Sequence, residues 1–295
     1  MKKVRIKILL IFIILISANS LLNAQFNRPT GARQAAMCFS SSTNTDVWAN
    51  NHNQAGLAGI ESFTVGIFYT NRFSMDQLST KSLAMAMPVS KYGSFGLNYT
   101  SFGYNLYNES KFGLAYAMNL GKKFAVGIQL DYFLIKFGND YGKTGNLVGE
   151  VGILANPVDK LFIAAHVFNP WLAKYADYQD ERVPTVFKVG LGYYFSKQVL
   201  FTTECEKDID NSTIFKSGLE YNVVAGLYIR AGISTKPTTY AFGIGYNYKG
   251  IIFDFAFSNH QYIGNTSQFG LSYVFKNKSK SKTAFWKLNN TLSKQ

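Results

Sequence analysis

The strongest constraint on the fold of this 295-residue chain is an alternation of large apolar and small or polar residues that repeats from Glu61 onward. Between Phe124 and Tyr132, for example, Phe, Val, Ile, Leu and Tyr occupy every second position, and Ala, Gly, Gln and Asp lie between them. Neighbouring side chains of a β-strand point to opposite sheet faces, so this period of two predicts strands with one large apolar face. No helical period of comparable strength follows residue 24.

Fourteen such segments follow one another along the chain. They span roughly residues 61–73, 81–89, 93–102, 110–120, 123–136, 146–156, 160–168, 185–196, 198–207, 212–222, 225–234, 238–248, 250–259 and 266–275. A sandwich in water alternates in the same way, but two features are typical of a membrane barrel. Aromatic residues lie near the segment ends, and the connectors after every second strand are shorter than the others, like periplasmic turns opposite exterior loops.

Closure of the sheet follows from the membrane environment. Lipid cannot satisfy free backbone N–H and C=O groups, so a spanning sheet has no free edge. The sequence therefore predicts an all-β fold, a transmembrane antiparallel outer-membrane β-barrel of about 14 strands with an N-terminal plug segment.

Most of the positive charge lies outside the predicted barrel. The chain has 30 Lys and Arg residues against 17 Asp and Glu residues. Residues 1–24 have the basic start, apolar run and small-residue end of a secretory signal, and residues 276–295 form a basic tail with six lysines and no acid. The part between them holds 20 basic and 17 acidic residues, which argues against a folded nucleic-acid-binding surface. A mean hydropathy of −0.02 argues against a bundle of transmembrane helices.

The segment 25–60 is polar, irregular and rich in Asn. We predict that it enters the lumen as a plug, because the predicted inward face is rich in glycine, which lets another backbone approach closely. These inward glycines are Gly96, Gly113, Gly127, Gly152, Gly190, Gly218, Gly232, Gly243, Gly245 and Gly270. The predicted organisation is a signal peptide over 1–24, a plug over 25–60, a barrel over 61–275 and a basic tail over 276–295.

Ionisable residues also lie on the predicted inward face. A charge facing lipid near the midplane costs roughly 2–4 kcal/mol for Arg or Lys, whereas a charge in the lumen can pair or stay hydrated. This polar ladder comprises Lys188, Glu204, Glu206, Lys216, Glu220, Arg230 and Asp254. It is either a set of salt bridges that fills the barrel or a polar selectivity surface. Candidate aromatic residues for an apolar lumen pocket are Phe68, Phe162, Phe168 and Tyr228.

The N-terminal segment carries a motif in three parts. They are Gly31-Ala32-Arg33-Gln34-Ala35-Ala36-Met37, then Asp46-Val47-Trp48, then Asn53-Gln54-Ala55-Gly56-Leu57. This motif resembles the N-terminal signature of FadL-like barrels, and most closely that of the PorV/PorQ group of the Bacteroidetes type. The chain departs from that signature at Gln54, where the family has Pro, and at Cys38-Phe39, where Gly is usual.

The resemblance implies a fourteen-stranded barrel with an N-terminal hatch. It implies two different functions, because FadL-type members pass hydrophobic molecules across the outer membrane, whereas PorV and PorQ bind cargo or attachment-complex partners in type IX secretion.

Residue types that form catalytic or metal sites are sparse. The three histidines, His52, His166 and His260, are far apart in the sequence and lack metal-ligand spacing. His166 also neighbours no obvious nucleophile. We therefore predict that the chain is not an enzyme and that it uses no metal and no cofactor.

The leading functional hypothesis is a non-enzymatic accessory or docking subunit of the PorV/PorQ type in protein secretion or surface assembly. Its candidate handle for a partner lies in the basic tail, at Phe285, Trp286 and Leu288. The alternative is a FadL-like channel for hydrophobic small molecules, and a purely structural barrel is the third hypothesis. The predicted location is the outer membrane, in contact with its lipid, with both termini periplasmic after signal cleavage and no nucleic-acid partner.

Overall fold

The computed structural model describes residues 28–89, 92–138, 142–173 and 182–275. Within these residues, fourteen antiparallel strands form a closed barrel in which each strand pairs with its sequence neighbours and β1 pairs with β14. The strands are β1 Thr64–Asn71, β2 Ser79–Pro88, β3 Ser94–Tyr104, β4 Tyr107–Leu120, β5 Phe124–Phe137, β6 Lys143–Ala155, β7 Leu161–Phe168, β8 Val186–Tyr194, β9 Val199–Asp208, β10 Ile214–Val224, β11 Leu227–Ser234, β12 Thr239–Tyr248, β13 Ile251–His260 and β14 Gly264–Val274. The predicted fold class is confirmed.

The wall has the two faces that the alternation predicts. In β4, Phe112 and Leu114 are exposed on the outside, whereas Gly113 and Ala115 are buried inside. The register places large outward residues beside one another on adjacent strands, as in the pair Tyr99 and Phe112 of β3 and β4. Such cross-strand pairs stabilise a sheet, and the outer surface they form is an apolar aromatic belt.

Each of the predicted strand boundaries lies within three residues of the observed one. The predicted alternation of connector lengths is only partly correct. The longest connector, 169–185, lies at one end, here called the loop end, but the two-residue connector 105–106 lies there as well. The opposite end, here called the turn end, includes the five-residue connector 89–93. A tight hairpin can close an antiparallel pair at either end of a barrel, so connector length alone does not assign the two ends.

The described part of the N-terminal segment lies before β1 and forms short helical pieces. They are α1 Ala32–Ala36 and the 3-10 helices Val47–Asn51 and Gln54–Gly59. Two further 3-10 helices, Arg72–Ser74 and Asp76–Leu78, join β1 to β2. No helix among the described residues is long and apolar enough to cross a membrane. The predicted signal peptide and the basic tail lie outside the described residues.

Candidate functional site: the plug and the lumen

The N-terminal segment lies inside the barrel and contacts most of its strands. Helix α1 packs against β11–β14, Val47–Asn51 against β1–β3, and Gln54–Gly59 against β3–β6. Almost every residue from Thr30 to Ala58 is buried. The segment therefore occupies the lumen as a plug, and it makes its contacts with the inward face of the wall.

Most of the predicted inward glycines mark the places where the plug touches the wall. Eight of the ten have a plug residue beside the position that a Cβ atom would take: Gly96, Gly127, Gly152, Gly190, Gly218, Gly232, Gly243 and Gly270. At Gly127 the overlapping atoms belong to the backbone of Gln54 and Ala55, so a side chain there cannot be accommodated by a rotamer change. The other two, Gly113 and Gly245, face charged or polar side chains of the wall.

The motif residues determine how the plug folds on itself. Asp46 accepts hydrogen bonds from the backbone N–H of Trp48 and from the side chains of Arg33 and Gln34. Asn53 caps the next 3-10 helix by accepting from the N–H of Ala55, and its side-chain amide donates to carbonyl oxygens of the plug and of β6. Side-chain caps of this kind satisfy the free donors at a helix start.

The remaining motif residues provide space or apolar packing. Gly31 has a φ of 99°, in the region that favours glycine, and a Cβ atom at Gly56 would overlap the backbone carbonyl of Asn44. Ala32, Ala55 and Leu57 are fully buried. All fifteen residues of the three-part motif lie in the plug, inside the barrel.

The two departures from the family signature have different structural consequences. Cys38 and Phe39 have φ values of 50° and 59°, so they adopt the left-handed conformation for which glycine is favoured. Gln54, in place of proline, donates from its side-chain amide to Glu150 across 2.6 Å. This substitution adds a polar contact between the plug and the wall.

One group of buried charges, here called the sealed cluster, consists of Lys111, Asp131, Glu150 and His166. Lys111 Nζ lies 3.4 Å from Glu150 Oε1 and 3.9 Å from Asp131 Oδ2, and His166 Nε2 lies 2.8 Å from Glu150 Oε2. The side chains of all four are between 0% and 5% exposed. The amide of Gln54 joins this cluster from the plug.

The sealed cluster is absent from the residues predicted from the sequence, although the sequence contains a signal for it. Lys111 and Glu150 each lie two positions before a glycine predicted to face inward, Gly113 and Gly152. The period of two therefore places both charges on the inward face. Asp131 and His166 follow the same alternation in β5 and β7.

A second group, here called the open cluster, consists of Arg33, Asp46, Glu220, Arg230 and Asp254. Arg33 of the plug binds both carboxylate oxygens of Glu220, across 2.8 and 2.7 Å, and it reaches Asp46 across 3.0 Å. Arg230 joins Glu220 to Asp254 through bonds of 2.6 and 2.7 Å. Burial lowers the pKa of Arg33, but the charges of Glu220 and Asp46 outweigh that effect and hold the pKa well above its ordinary value.

The rest of the predicted polar ladder forms a third group beside the plug. Lys216 pairs with Glu206 across 2.7 Å and with Glu204 across 3.5 Å, and Lys188 lies 3.7 Å from Glu206. Glu204 also accepts hydrogen bonds from the backbone N–H groups of Ser41 and Ser42 and from the Ser42 hydroxyl. The structure thus places all seven predicted ladder residues on the inward face and pairs each with an opposite charge.

A cavity of about 390 Å³ lies between the plug and the wall in the turn-end half of the lumen. Its walls include the open cluster, the plug residues Val47 and Trp48, and residues near the strand ends that meet at the turn end. Lys197 and Gln198 of the β8–β9 turn lie at its rim and are exposed to solvent. In contrast, the loop-end half contains a packed cluster of Phe133, Val148, Phe168 and Val183.

The four predicted lumen aromatics do not share one pocket. Phe162 and Tyr228 line the cavity, together with Tyr194 and Leu200, which the sequence analysis did not name. Phe68 packs edge-on against Trp48, with 5.9 Å between the ring centroids. Phe168 belongs to the loop-end cluster, far along β7 from Phe162. The candidate handle at Phe285, Trp286 and Leu288 lies outside the described residues.

The histidines are dispersed through the barrel. His52 is buried in the plug, where its Nε2 lies 2.7 Å from the backbone oxygen of Thr30. His166 belongs to the sealed cluster, and His260 is at the end of β13. Over the described ranges, no group of three or more His, Cys, Asp or Glu side chains is arranged to hold a metal ion.

No protein-family model matches this chain, and no curated protein matches it. Several solved structures have a similar fold. The Ralstonia pickettii toluene transporter TbuX has 13% identity and a TM-score of 0.65, over 83% of this chain and 98% of that one. The Pseudomonas putida toluene transporter TodX has 12% identity and a TM-score of 0.59, over 84% and 99%.

A Pseudomonas aeruginosa FadL homologue is also similar, with 12% identity and a TM-score of 0.58, over 86% of this chain and all of that one. At such low identity the likeness is one of fold, and it provides no support for the narrower resemblance to the PorV/PorQ group. The chain therefore shares the fold of FadL-type outer-membrane barrels.

Proposed function

We propose that this chain is an outer-membrane barrel through which small hydrophobic molecules pass, as the alternative hypothesis from the sequence states. The observation that carries the proposal is the cavity of about 390 Å³ between the plug and the wall. It lies within the size range of small-molecule sites, and aromatic side chains form part of its lining. The fold shared with two toluene transporters supports the same function.

Passage through the barrel requires the plug to shift. The cavity lies in the turn-end half, and the plug and the charge clusters fill the lumen between it and the loop end. The contacts that resist this shift include the bonds from Arg33 to Glu220 and those from Arg28 to Glu109, which span 3.0 and 3.1 Å. A substrate that enters the lumen has to compete with such contacts.

We infer the orientation of the barrel in the membrane from the features of its two ends. β1 begins and β14 ends at the turn end, where Thr64 pairs with Val274. In our proposal the turn end faces the periplasm, because both termini of the barrel lie there and the longest connector, 169–185, lies at the opposite end, like the exterior loops of outer-membrane barrels. The cavity then opens toward the periplasm, and no catalytic step is part of the function.

The test is uptake of radiolabelled toluene and of radiolabelled benzyl alcohol by cells of a Gram-negative host without endogenous barrels of this type. We expect uptake to rise when the full chain is present in the outer membrane. Ile252→Trp should abolish the increase because Ile252 lines the cavity. Ile251→Trp, on the lipid-facing side of the same strand, is the matched control. Uptake equal to that of cells without the barrel would refute the proposal.

The docking hypothesis stays a prediction. It depends on the basic tail, whose residues lie outside the described part of the chain, and none of the comparisons supports a secretion partner. Affinity purification of the full chain with and without residues 276–295 tests it directly.

A further inference from the structure

We infer that the turn-end cavity binds an uncharged molecule that combines an apolar ring or chain with a hydrogen-bond acceptor, in preference to a carboxylate or a plain hydrocarbon. This inference rests on the proposed function, because it names the substrate class of the same cavity. Three features of the lining carry it: an apolar wall, a net charge that repels anions, and a plug arginine with N–H groups left to donate.

The apolar wall is formed by side chains from adjacent strands and from the plug. Phe162 of β7 and Tyr194 of β8 lie edge to face, with 5.8 Å between the ring centroids, and Leu200 packs beside them. Trp48 of the plug lines the cavity as well. Burial of an apolar group against such a surface is favourable because it removes apolar area from water.

The charges of the lining sum to −1. The open cluster contributes two arginines, Arg33 and Arg230, and three carboxylates, those of Asp46, Glu220 and Asp254. The rim adds Glu61 and Lys197, whose charges cancel. A carboxylate ligand would enter a site of the same sign, where every arginine is already paired with protein carboxylates. Like charges at close range in a partly desolvated site repel each other.

Arg33 explains why a polar group on the ligand is expected. Its guanidinium makes three hydrogen bonds to protein carboxylates, whereas this group carries five N–H donors. The Arg33 side chain lines the cavity and keeps 21% of its surface exposed. A plain hydrocarbon would displace water from these donors without replacing the hydrogen bonds, which is unfavourable. A hydroxyl or carbonyl oxygen would replace them without adding charge.

The experiment uses four probes with one ring and one substituent each: benzyl alcohol, benzoate, benzylammonium and toluene. Binding of each to the purified full chain is measured by titration calorimetry at neutral pH, with titration into empty detergent micelles subtracted. We expect benzyl alcohol to bind most tightly, with an affinity about tenfold or more above that of benzoate. Toluene and benzylammonium should bind more weakly than benzyl alcohol, because neither offers an acceptor to the N–H groups of Arg33.

Two substitutions on β13 test whether the ligand binds inside the cavity. Ile252→Trp fills the cavity and should lower benzyl alcohol affinity about tenfold or more, whereas Ile251→Trp, which faces lipid, should leave it unchanged. Benzoate, benzylammonium or toluene binding as tightly as benzyl alcohol would overturn the inference. So would unchanged binding to a folded Ile252→Trp chain. The order of the four probes on the unmodified chain decides the preference even where this variant does not fold.

The two proposals fail separately. Preferential benzyl alcohol binding without barrel-dependent uptake of either benzyl alcohol or toluene would overturn the transport function and leave the binding site standing. Barrel-dependent uptake with no preference among the four probes would overturn the inferred binding preference and leave the transport function standing.

Discussion

The sealed cluster and the open cluster are chemically similar, yet they lie in different surroundings. Each combines basic and acidic side chains of the wall with side chains of the plug, Gln54 in the sealed cluster and Arg33 and Asp46 in the open one. The side chains of the sealed cluster are at most 5% exposed. In the open cluster, the Arg33 and Asp46 side chains are 21% and 25% exposed, and the cluster lines the cavity.

This difference in side-chain exposure indicates different roles for the two clusters. A charge without access to water depends on its protein partners, so loss of one partner leaves another charge uncompensated. A charge beside a cavity can be hydrated when its partner is removed, and it can bind a ligand. In the proposed function, the sealed cluster anchors the plug, whereas the open cluster contacts the plug and also borders the substrate path.

The largest expected effect is that of Glu150→Ala in the sealed cluster. The change removes the nearer carboxylate of Lys111, which keeps only Asp131 at 3.9 Å, and it removes the carboxylate that the plug amide of Gln54 binds. We expect a loss of about 3–5 kcal/mol in the free energy of unfolding, measured by urea unfolding of the barrel in detergent. A loss below that of Glu220→Ala would contradict the distinction between the two clusters.

Glu220→Ala in the open cluster should cost less, about 1–3 kcal/mol, because Arg33 keeps Asp46 as a partner, Arg230 keeps Asp254, and Arg33 lines the cavity. The same urea titration measures it. Glu220→Gln serves as its control, since the amide keeps the volume and can still accept a hydrogen bond from Arg33. Equal losses in the free energy of unfolding for Glu220→Ala and Glu150→Ala would contradict the view that the open cluster tolerates the loss of a partner better than the sealed cluster does.

A pair of glycine substitutions compares the packing beside each cluster. Gly127→Ala places a methyl group against the backbone of Gln54 and Ala55, which cannot move aside without shifting the plug. Gly245→Ala meets only side-chain ends of Arg230 and Asp254, which can rotate. We expect Gly127→Ala to cost about 1–3 kcal/mol and to expose the plug to protease, as seen by mass spectrometry of the fragments. Equal protection of the plug from protease in the two variants would contradict the expected difference between overlap with backbone at Gly127 and overlap with side chains at Gly245.

The smallest expected effect is that of salt. The Arg33–Asp46 pair is partly exposed, so raising NaCl from about 0.1 to 1 M should weaken it through screening. Its coupling energy, from a double-mutant cycle with Arg33→Met and Asp46→Ala, should be about 1 kcal/mol or less and should fall with salt. The coupling between Lys111 and Glu150, measured in the same way, should hardly change. Similar salt dependence of the two pairs would show that the sealed cluster is hydrated.

Much of the wall was predictable, because its physical rule is local. Every strand carries its own period of two, so Phe112 and Leu114 are assigned to one face and Gly113 to the other from adjacent residues alone. The same rule assigns Lys188, Glu204 and Lys216 inward. The lengths of the connectors were a poorer guide, since a hairpin of two residues closes the loop end between β3 and β4.

The sequence by itself determined the number of strands, the face of each residue and the presence of a segment that differs from the barrel. Only the tertiary structure decided which charges meet, because the pairs join residues far apart in the chain, as Arg33 and Glu220 are. Their distance depends on the strand register, on closure between β1 and β14, and on the path of the plug through the lumen. The cavity has the same origin: its walls come from plug and strand ends that only a closed barrel brings together.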